Sequence, residues 1–340
     1  MKISLFEIEA HERAAFDRLR SAHTLRICAE PLGAGNVAAH ADAEILSPFI
    51  YSDLHAGLLA QLPALKLIAT RSTGYDHIDT AYCARHGIAV ANVPVYGDST
   101  VAEHVFALLL SLSHRIPEAV AAARSGNFSP RGLEGFDLDG KTLGVVGTGR
   151  IGQHVIRIAR GFGMPVLASD ARPDDGLAQR LGFRYVALDV LLAESDVVTL
   201  HVPATPATHH LLSAAQFARM KPGAVLINTA RGSIVEPGAL IEALVSGRLA
   251  GAGLDVLPDE PAIREEAQLV SSIFADRSSV DLRGLVADHL LLRLPNVVVT
   301  PHSGFNTREA LARIVDTTLD NIEAFIAGRS LNRVMPSRTS

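Results

Sequence analysis

The sequence predicts an α/β protein of two doubly wound parallel sheets, and three observations predict it. Short apolar runs alternate with helix-like stretches from the N-terminus to about residue 300, the rhythm of parallel strands joined by crossover helices. One run, 143–146, enters Gly147-Thr-Gly149-Arg-Ile-Gly152, and a helical face of Ile151, Val155, Ile158 and Ala159 follows. The chain is 340 residues long, about twice a typical single domain.

In the first hundred residues the predicted strands are 3–8, 25–29, 43–49, 65–70 and 88–93, with helix-like stretches such as 11–20 and 52–62 between them. No glycine motif occurs here. The loops 71–79 and 94–100 follow strands, where open α/β sheets bind ligands. From Val101 the run VAEHVFALLLSLSHRIPEAV is apolar nearly all round. That predicts one helix buried between domains or subunits, with His104 and His114 packing or capping rather than reacting.

The glycine turn is the most specific local signal. Gly147 permits a tight turn, Gly149 lets backbone approach a pyrophosphate, and Gly152 lets the helix pack close to its strand. The helix N-terminus presents unpaired N–H groups and a partial positive charge, with Arg150 and Ile151 in its first turn. A second strand-like run, 165–168, ends near Asp170, where a carboxylate can accept hydrogen bonds from a ribose and repel a 2′-phosphate. The expected cofactor is therefore NAD. Further strand-like runs end at polar residues: 196–200 before His201, Val202 and Pro203; 224–228 before Thr229, Ala230 and Arg231; 252–256 around Asp255; and 296–300 before Pro301 and His302. The amphipathic stretch 307–328 is expected to cross back to the first domain, and the tail from Leu331 to fray. The expectation is two Rossmann-like or flavodoxin-like domains: residues 1–99 plus 304–340 binding substrate, and 100–303 binding NAD.

Composition narrows the function. Net charge is −5, with 48% hydrophobic and 20% charged residues, which fits a globular protein and gives nucleic acid no basic surface. Cys28 and Cys83 show neither disulfide-framework nor metal-ligand spacing, and the histidines show none either. The N-terminus carries Glu7 and Glu9 where a signal peptide needs an apolar core, and no apolar run is long enough to span a bilayer. A cytoplasmic protein with no metal, membrane or nucleic-acid partner is expected.

Reducing a 2-keto acid requires a cation for its carboxylate, an acid for the developing alkoxide, and a group that keeps the acid charged. Arg231, His302 and Glu260 offer one of each. Arginine donates two parallel hydrogen bonds to a carboxylate, histidine alternates between acid and base near neutral pH, and a nearby glutamate favours the imidazolium. Taken singly, each equally fits a structural role: a sheet-edge salt bridge, a strand-end histidine, a solvated loop charge.

Several motifs in order carry a resemblance: RSTGYDHID (71–79), VAEHVFALLL (101–110), GVVGTGRIG (144–152), DVVTLHVPATPATHHLL (196–212), KPGAVLINTARGSIV (221–235), GLDVLPDEP (253–261) and TPHSGF (300–305). The chain resembles the D-isomer-specific 2-hydroxyacid dehydrogenases from about residue 43 to 325. The resemblance implies Arg231 on the substrate carboxylate, His302 as acid/base and Glu260 as its partner. It places Asp255 near the nicotinamide carboxamide, and Val101, His201, Val202, Pro203, Thr229 and Ala230 along the cofactor. Backbone around Thr73, Gly74 and Tyr75 would bind the carboxylate, with the active site in a cleft between the domains.

Phe49 and Phe305 align with positions around the substrate side chain, where an apolar pocket suits a methyl group. With the long segment 262–293, they lean toward the D-lactate dehydrogenase branch, hence NADH and pyruvate. A homodimer is implied through the region from Val101. The rival readings are a glyoxylate or hydroxypyruvate reductase on the same residues, and an NAD(H)-sensing corepressor-like binding protein.

Overall fold

The structure is a computed structural model and describes residues 1–10, 12–257 and 282–334. By internal contacts the chain divides into two units, Met1–Gly97 with Asn306–Ser340, and Asp98–Phe305.

The first unit holds β1 (Lys2–Leu5), β2 (Thr24–Ile27), β3 (Ile45–Ser47), β4 (Leu67–Ala69) and β5 (Ala89–Ala91). They form one sheet in the order β2-β1-β3-β4-β5, with every pair parallel. Side chains alternate across a strand, so β3 and the run from β1 into Phe6 feed two cores. Phe6, Leu46, Ile68 and Val90 join one, and Ile3, Leu5, Ile45 and Leu67 the other. The second core is closed by Val315, Leu319 and Ile322 from the helix Arg308–Ile326. Both faces are covered, so the strands read as plain apolar runs.

Two sequence expectations change here. The stretch 52–62 is helical only over Ala56–Leu59. Residues 332–334 of the tail are paired, not frayed: Arg333 bridges antiparallel to Ala91, Val334 N–H donates to Val90 O at 2.8 Å, and the Asn332 amide donates to Asn321 Oδ1 at 2.9 Å. They satisfy the free edge of β5, which would otherwise stand unpaired.

The second unit holds β6 (Leu143–Val146), β7 (Val166–Ser169), β8 (Arg184–Tyr185), β9 (Val197–Leu200), β10 (Ala224–Asn228), β11 (Leu249–Leu254) and β12 (Val297–Val299). Its sheet order is β12-β11-β10-β9-β6-β7-β8, parallel throughout. The order reverses beside β6, the crevice where doubly wound sheets bind ligands. Val145, Val197 and Val225 point into one core, and Val146, Val198 and Leu226 into the other.

The predicted long helix after residue 101 is two helices, Asp98–Ser113 and Ile116–Arg124, bent by 60°. Arg115 at the break takes a left-handed φ of 49°. Pro117 in the following first turn cannot donate the N–H that a continuous helix needs there. In the first helix Ala102, Val105, Phe106, Leu108 and Leu109 pack in the second unit's own core, whereas Ile116–Arg124 buries no residue. Among the described residues no single helix is long and apolar enough to cross a membrane.

Leu319 is fully buried, so Leu319→Ala is expected to destabilise the protein by about 2–5 kcal/mol. Urea unfolding followed by circular dichroism measures this, and a loss below about 0.5 kcal/mol, the range of surface changes, would show that the helix is dispensable to its sheet.

Candidate active site

All seven strands of the second unit are parallel, so their C-terminal ends share one sheet edge. β6 runs into the glycine turn. Gly147 has φ 97°, and a Cβ there would stand 2.7 Å from His201 O. A Cβ on Gly152 would stand 2.2 Å from Gly147 O. The turn and the helix Arg150–Gly161 thus approach closer than any side chain allows. Arg150 forms an ion pair with Asp98 at 3.3 Å.

β7 leads to Asp170. Its Oδ2 accepts from Thr148 N–H and from the Thr148 hydroxyl, both at 2.7 Å, and its Oδ1 from Arg172 N–H at 2.9 Å. The Thr148 hydroxyl also lies 2.8 Å from Tyr185 Oη. Partial burial alone would raise the Asp170 pKa, but these bonds outweigh it and hold the pKa below the usual carboxylate value. Asp170 is therefore anionic beside the glycine turn, with lone pairs remaining for ribose hydroxyls.

β9 leads to His201, whose N–H donates to Val146 O at 2.7 Å and whose Nε2 lies 3.0 Å from the Thr199 hydroxyl. Burial of the ring pushes its pKa down to about 3, so it is neutral at neutral pH. Val202 and Pro203 continue this loop.

β10 ends in Asn228, buried at 1% exposure. Its side chain accepts from Ala230 N–H at 3.0 Å and donates to Arg231 O at 2.9 Å, clasping the turn that carries Arg231. One Arg231 Nη donates to Ala230 O at 2.7 Å. Among the described residues the Thr229 hydroxyl is buried without a hydrogen-bond partner.

β11 leads to Asp255, 3% exposed, and β12 to Thr300 and His302. Asp255 Oδ1 accepts from the Thr300 hydroxyl at 2.5 Å and Ser303 N–H at 2.9 Å, and Oδ2 from Gly304 N–H at 2.9 Å. His104 Nε2 lies 2.9 Å from Thr300 Oγ1 and 3.3 Å from Asp255 Oδ1. Burial pushes the Asp255 pKa up, but bonds from His104, Thr300 and Gly304 bring it below the usual value.

In the first unit, Phe49 follows β3, and Thr73, Gly74 and Tyr75 follow β4. The Thr73 hydroxyl donates to Val93 O and the Ser72 hydroxyl to Gly74 O, both at 2.6 Å. Phe49 meets Tyr51 edge-on at 5.8 Å. Beneath the loop, Arg71 is 1% exposed, and it donates to Phe6 O, Glu7 O and Ser47 O.

One sheet edge of the second unit thus carries Gly147, Gly149, Gly152, Asp170, His201, Thr229, Arg231, Asp255 and His302. Glu260 lies outside the described residues, as does most of the segment 262–293. Sequence reasoning missed four residues that shape this edge: His104, Thr148, Asn228 and Thr300. All four lie inside quoted motifs, His104 read there as packing or capping, but the partners of His104, Thr148 and Thr300 are distant in sequence. The closed glycine turn and the orphaned Thr229 hydroxyl both fit a dinucleotide laid along the edge.

The family model for the NAD-binding domain of D-isomer specific 2-hydroxyacid dehydrogenases matches residues 106–304. The D-lactate dehydrogenase of Escherichia coli is 38% identical over 292 residues, 84% of each chain. A glyoxylate reductase of Thermococcus litoralis is 37% identical over 294 residues, 84% of this chain and 82% of that one. The Aquifex aeolicus D-lactate dehydrogenase, solved with NAD and lactic acid, superposes with a TM-score of 0.84 at 36% identity, covering 96% of each chain.

Asp170→Ala should raise the KM for NADH about tenfold or more, the worth of a hydrogen bond to a charged group, and leave the KM for NADPH unchanged or lower. Equal loss with both cofactors would mean that Asp170 only braces Thr148. Between about pH 6.5 and 3 the unfolded chain binds a proton at His201 that the folded chain does not. Stability should therefore fall as pH drops through this window, and His201→Asn should flatten the decline in urea midpoints.

Proposed function

Because the chain belongs to the D-isomer-specific 2-hydroxyacid dehydrogenases, on their D-lactate dehydrogenase branch, and is an NAD-dependent oxidoreductase acting on CH–OH groups, we propose that it reduces pyruvate to D-lactate. The observation that carries this reading is the row of strand ends β10, β11 and β12. It sets Arg231, Asp255 and His302 along one edge beside the glycine turn.

In this reading the second unit holds the cofactor through the amides at Gly149, Arg150 and Ile151 and through Asp170. His201, Val202, Pro203, Thr229, Ala230 and Val101 line it. Hydride for C2 comes from bound NADH. Arg231, its turn clasped by Asn228, holds the substrate carboxylate, and the family motif gives the backbone at Thr73, Gly74 and Tyr75 a substrate-binding role. His302 gives its proton to the carbonyl oxygen as charge develops there, and recovers one from solvent afterwards. Glu260 takes its role from the family motif, keeping His302 charged. Phe49 and Phe305 take their roles from the family alignment, as apolar residues that favour a methyl group over a phosphate.

The first unit is proposed as the substrate domain and a second copy of the chain as the partner. The helix Ile116–Arg124 buries nothing, and Ile116, Val120 and Phe128 are exposed, Phe128 by 85%. Exposed apolar side chains on this stretch support a partner surface there. The unpaired thiols Cys28 and Cys83 support a cytoplasmic setting.

NADH consumption with pyruvate, glyoxylate, hydroxypyruvate, 2-ketobutyrate and phenylpyruvate tests the substrate. Pyruvate should have the highest kcat/KM and yield D-lactate. A higher value for glyoxylate or hydroxypyruvate would move the enzyme to the reductase of the Thermococcus type. His302→Asn should lower kcat about 100- to 10,000-fold with NADH affinity kept, and retained turnover would remove His302 as the acid.

A further inference from the structure

The loop 301–304 that carries His302 has no helix or strand to hold it, and His302 sits in the left-handed region at φ 51°. A histidine there is uncommon and persists only where its surroundings fix it. Two surfaces of one carboxylate do so. Asp255 accepts from the Thr300 hydroxyl on the N-terminal side of His302, and from Ser303 and Gly304 N–H on the C-terminal side. His302 N–H folds back to Thr300 O at 2.9 Å. The residue is therefore straddled by bonds to a single buried anion.

Proton counting extends this device to a further residue. The Thr300 hydroxyl has one hydrogen, and the anionic Asp255, which can only accept, takes it. Toward His104 Nε2, 2.9 Å away, Thr300 Oγ1 can therefore only accept, so Nε2 bears the hydrogen. The chain runs His104 Nε2–H to Thr300 Oγ1–H to Asp255 Oδ1. His104 closes the same space from the side: a Cβ at Gly304 would meet Asp255 Oδ2 at 2.8 Å and His104 Cδ2 at 3.2 Å.

We propose that His104, acting through Thr300 and Asp255, is a positioning residue that locks the loop 301–304 and so aims His302. Asp255 spends three of its roughly four acceptor positions on Thr300, Ser303 and Gly304, and His104 Nε2, 3.3 Å from Oδ1, stands at the fourth. The consequence for rate rests on His302 being the acid/base group of the proposed function. The clamp itself is tested without turnover.

Amide hydrogen exchange across 300–305 is measured on the full-length enzyme, alongside NADH titration and steady-state kinetics with the 2-keto acid it turns over. Thr300→Val and His104→Leu should each speed exchange at Ser303 and Gly304 about tenfold or more, a local opening. They should lower kcat about 10- to 100-fold, the effect of a misplacement near 1 Å, with NADH affinity held within about twofold on the same grounds. Thr300→Ser and His104→Gln keep a hydroxyl and an N–H donor, and should restore protection. Unchanged exchange at Ser303 and Gly304 in both disruptive variants, or His104→Gln as damaging as His104→Leu, would overturn the clamp. If exchange rises as expected while His302→Asn retains turnover, the clamp stands and the acid/base assignment falls.

Discussion

A sheet whose strands all run the same way delivers every strand's C-terminal end to one edge, and this constraint governs the protein. Strands covered on both faces cannot carry polar side chains along their length without burying unpaired groups. β6, β9 and β10 are buried at every residue. Chemistry is therefore pushed to the strand ends, and residues as far apart in sequence as Gly147 and His302 share an edge without any local signal linking them.

The same solution recurs at two neighbouring ends. Asn228, 1% exposed, clasps the turn bearing Arg231, and Asp255, 3% exposed, clasps the loop bearing His302. A buried amide or carboxylate is costly unless every lone pair is used, and here the turn's own N–H groups use them. Each polar side chain thus exchanges water for backbone, and the backbone loses its freedom. Arg231 and His302 are then aimed by Asn228 and Asp255, which brace the backbone that carries them. Preorganisation of this kind is what makes charge stabilisation effective in a partly dry site.

Much of this was legible in the sequence. The apolar runs are continuous because both sheet faces are covered, and all five strands predicted in the first hundred residues are present, trimmed at their ends. The glycine turn announced itself because its residues are adjacent. What escaped reading was long-range. His104 looked like packing because Thr300, its hydrogen-bond partner, is 196 residues away. The bend at Arg115 was hidden by apolar residues on both sides of it, although Pro117 was in view. The tail after Leu331 has no strand-like pattern. Residues 332–334 are held by an edge of β5 that only the assembled sheet exposes.

The helix Arg308–Ile326 gives the protein an order of events. Met1–Gly97 leaves the ribosome with its five described strands, but the face carrying Ile3, Leu5, Ile45 and Leu67 is covered only in part, by Ile8, Phe16 and Leu19, because Leu319 and Ile322 are still unmade. Asp98–Phe305 follows with all of its own strands. The inserted unit can therefore complete its core while the unit that begins the chain waits, half built and adhesive, for the last helix. A newborn chain of this design is most in need of chaperone cover at its beginning, for the whole time its middle is being translated.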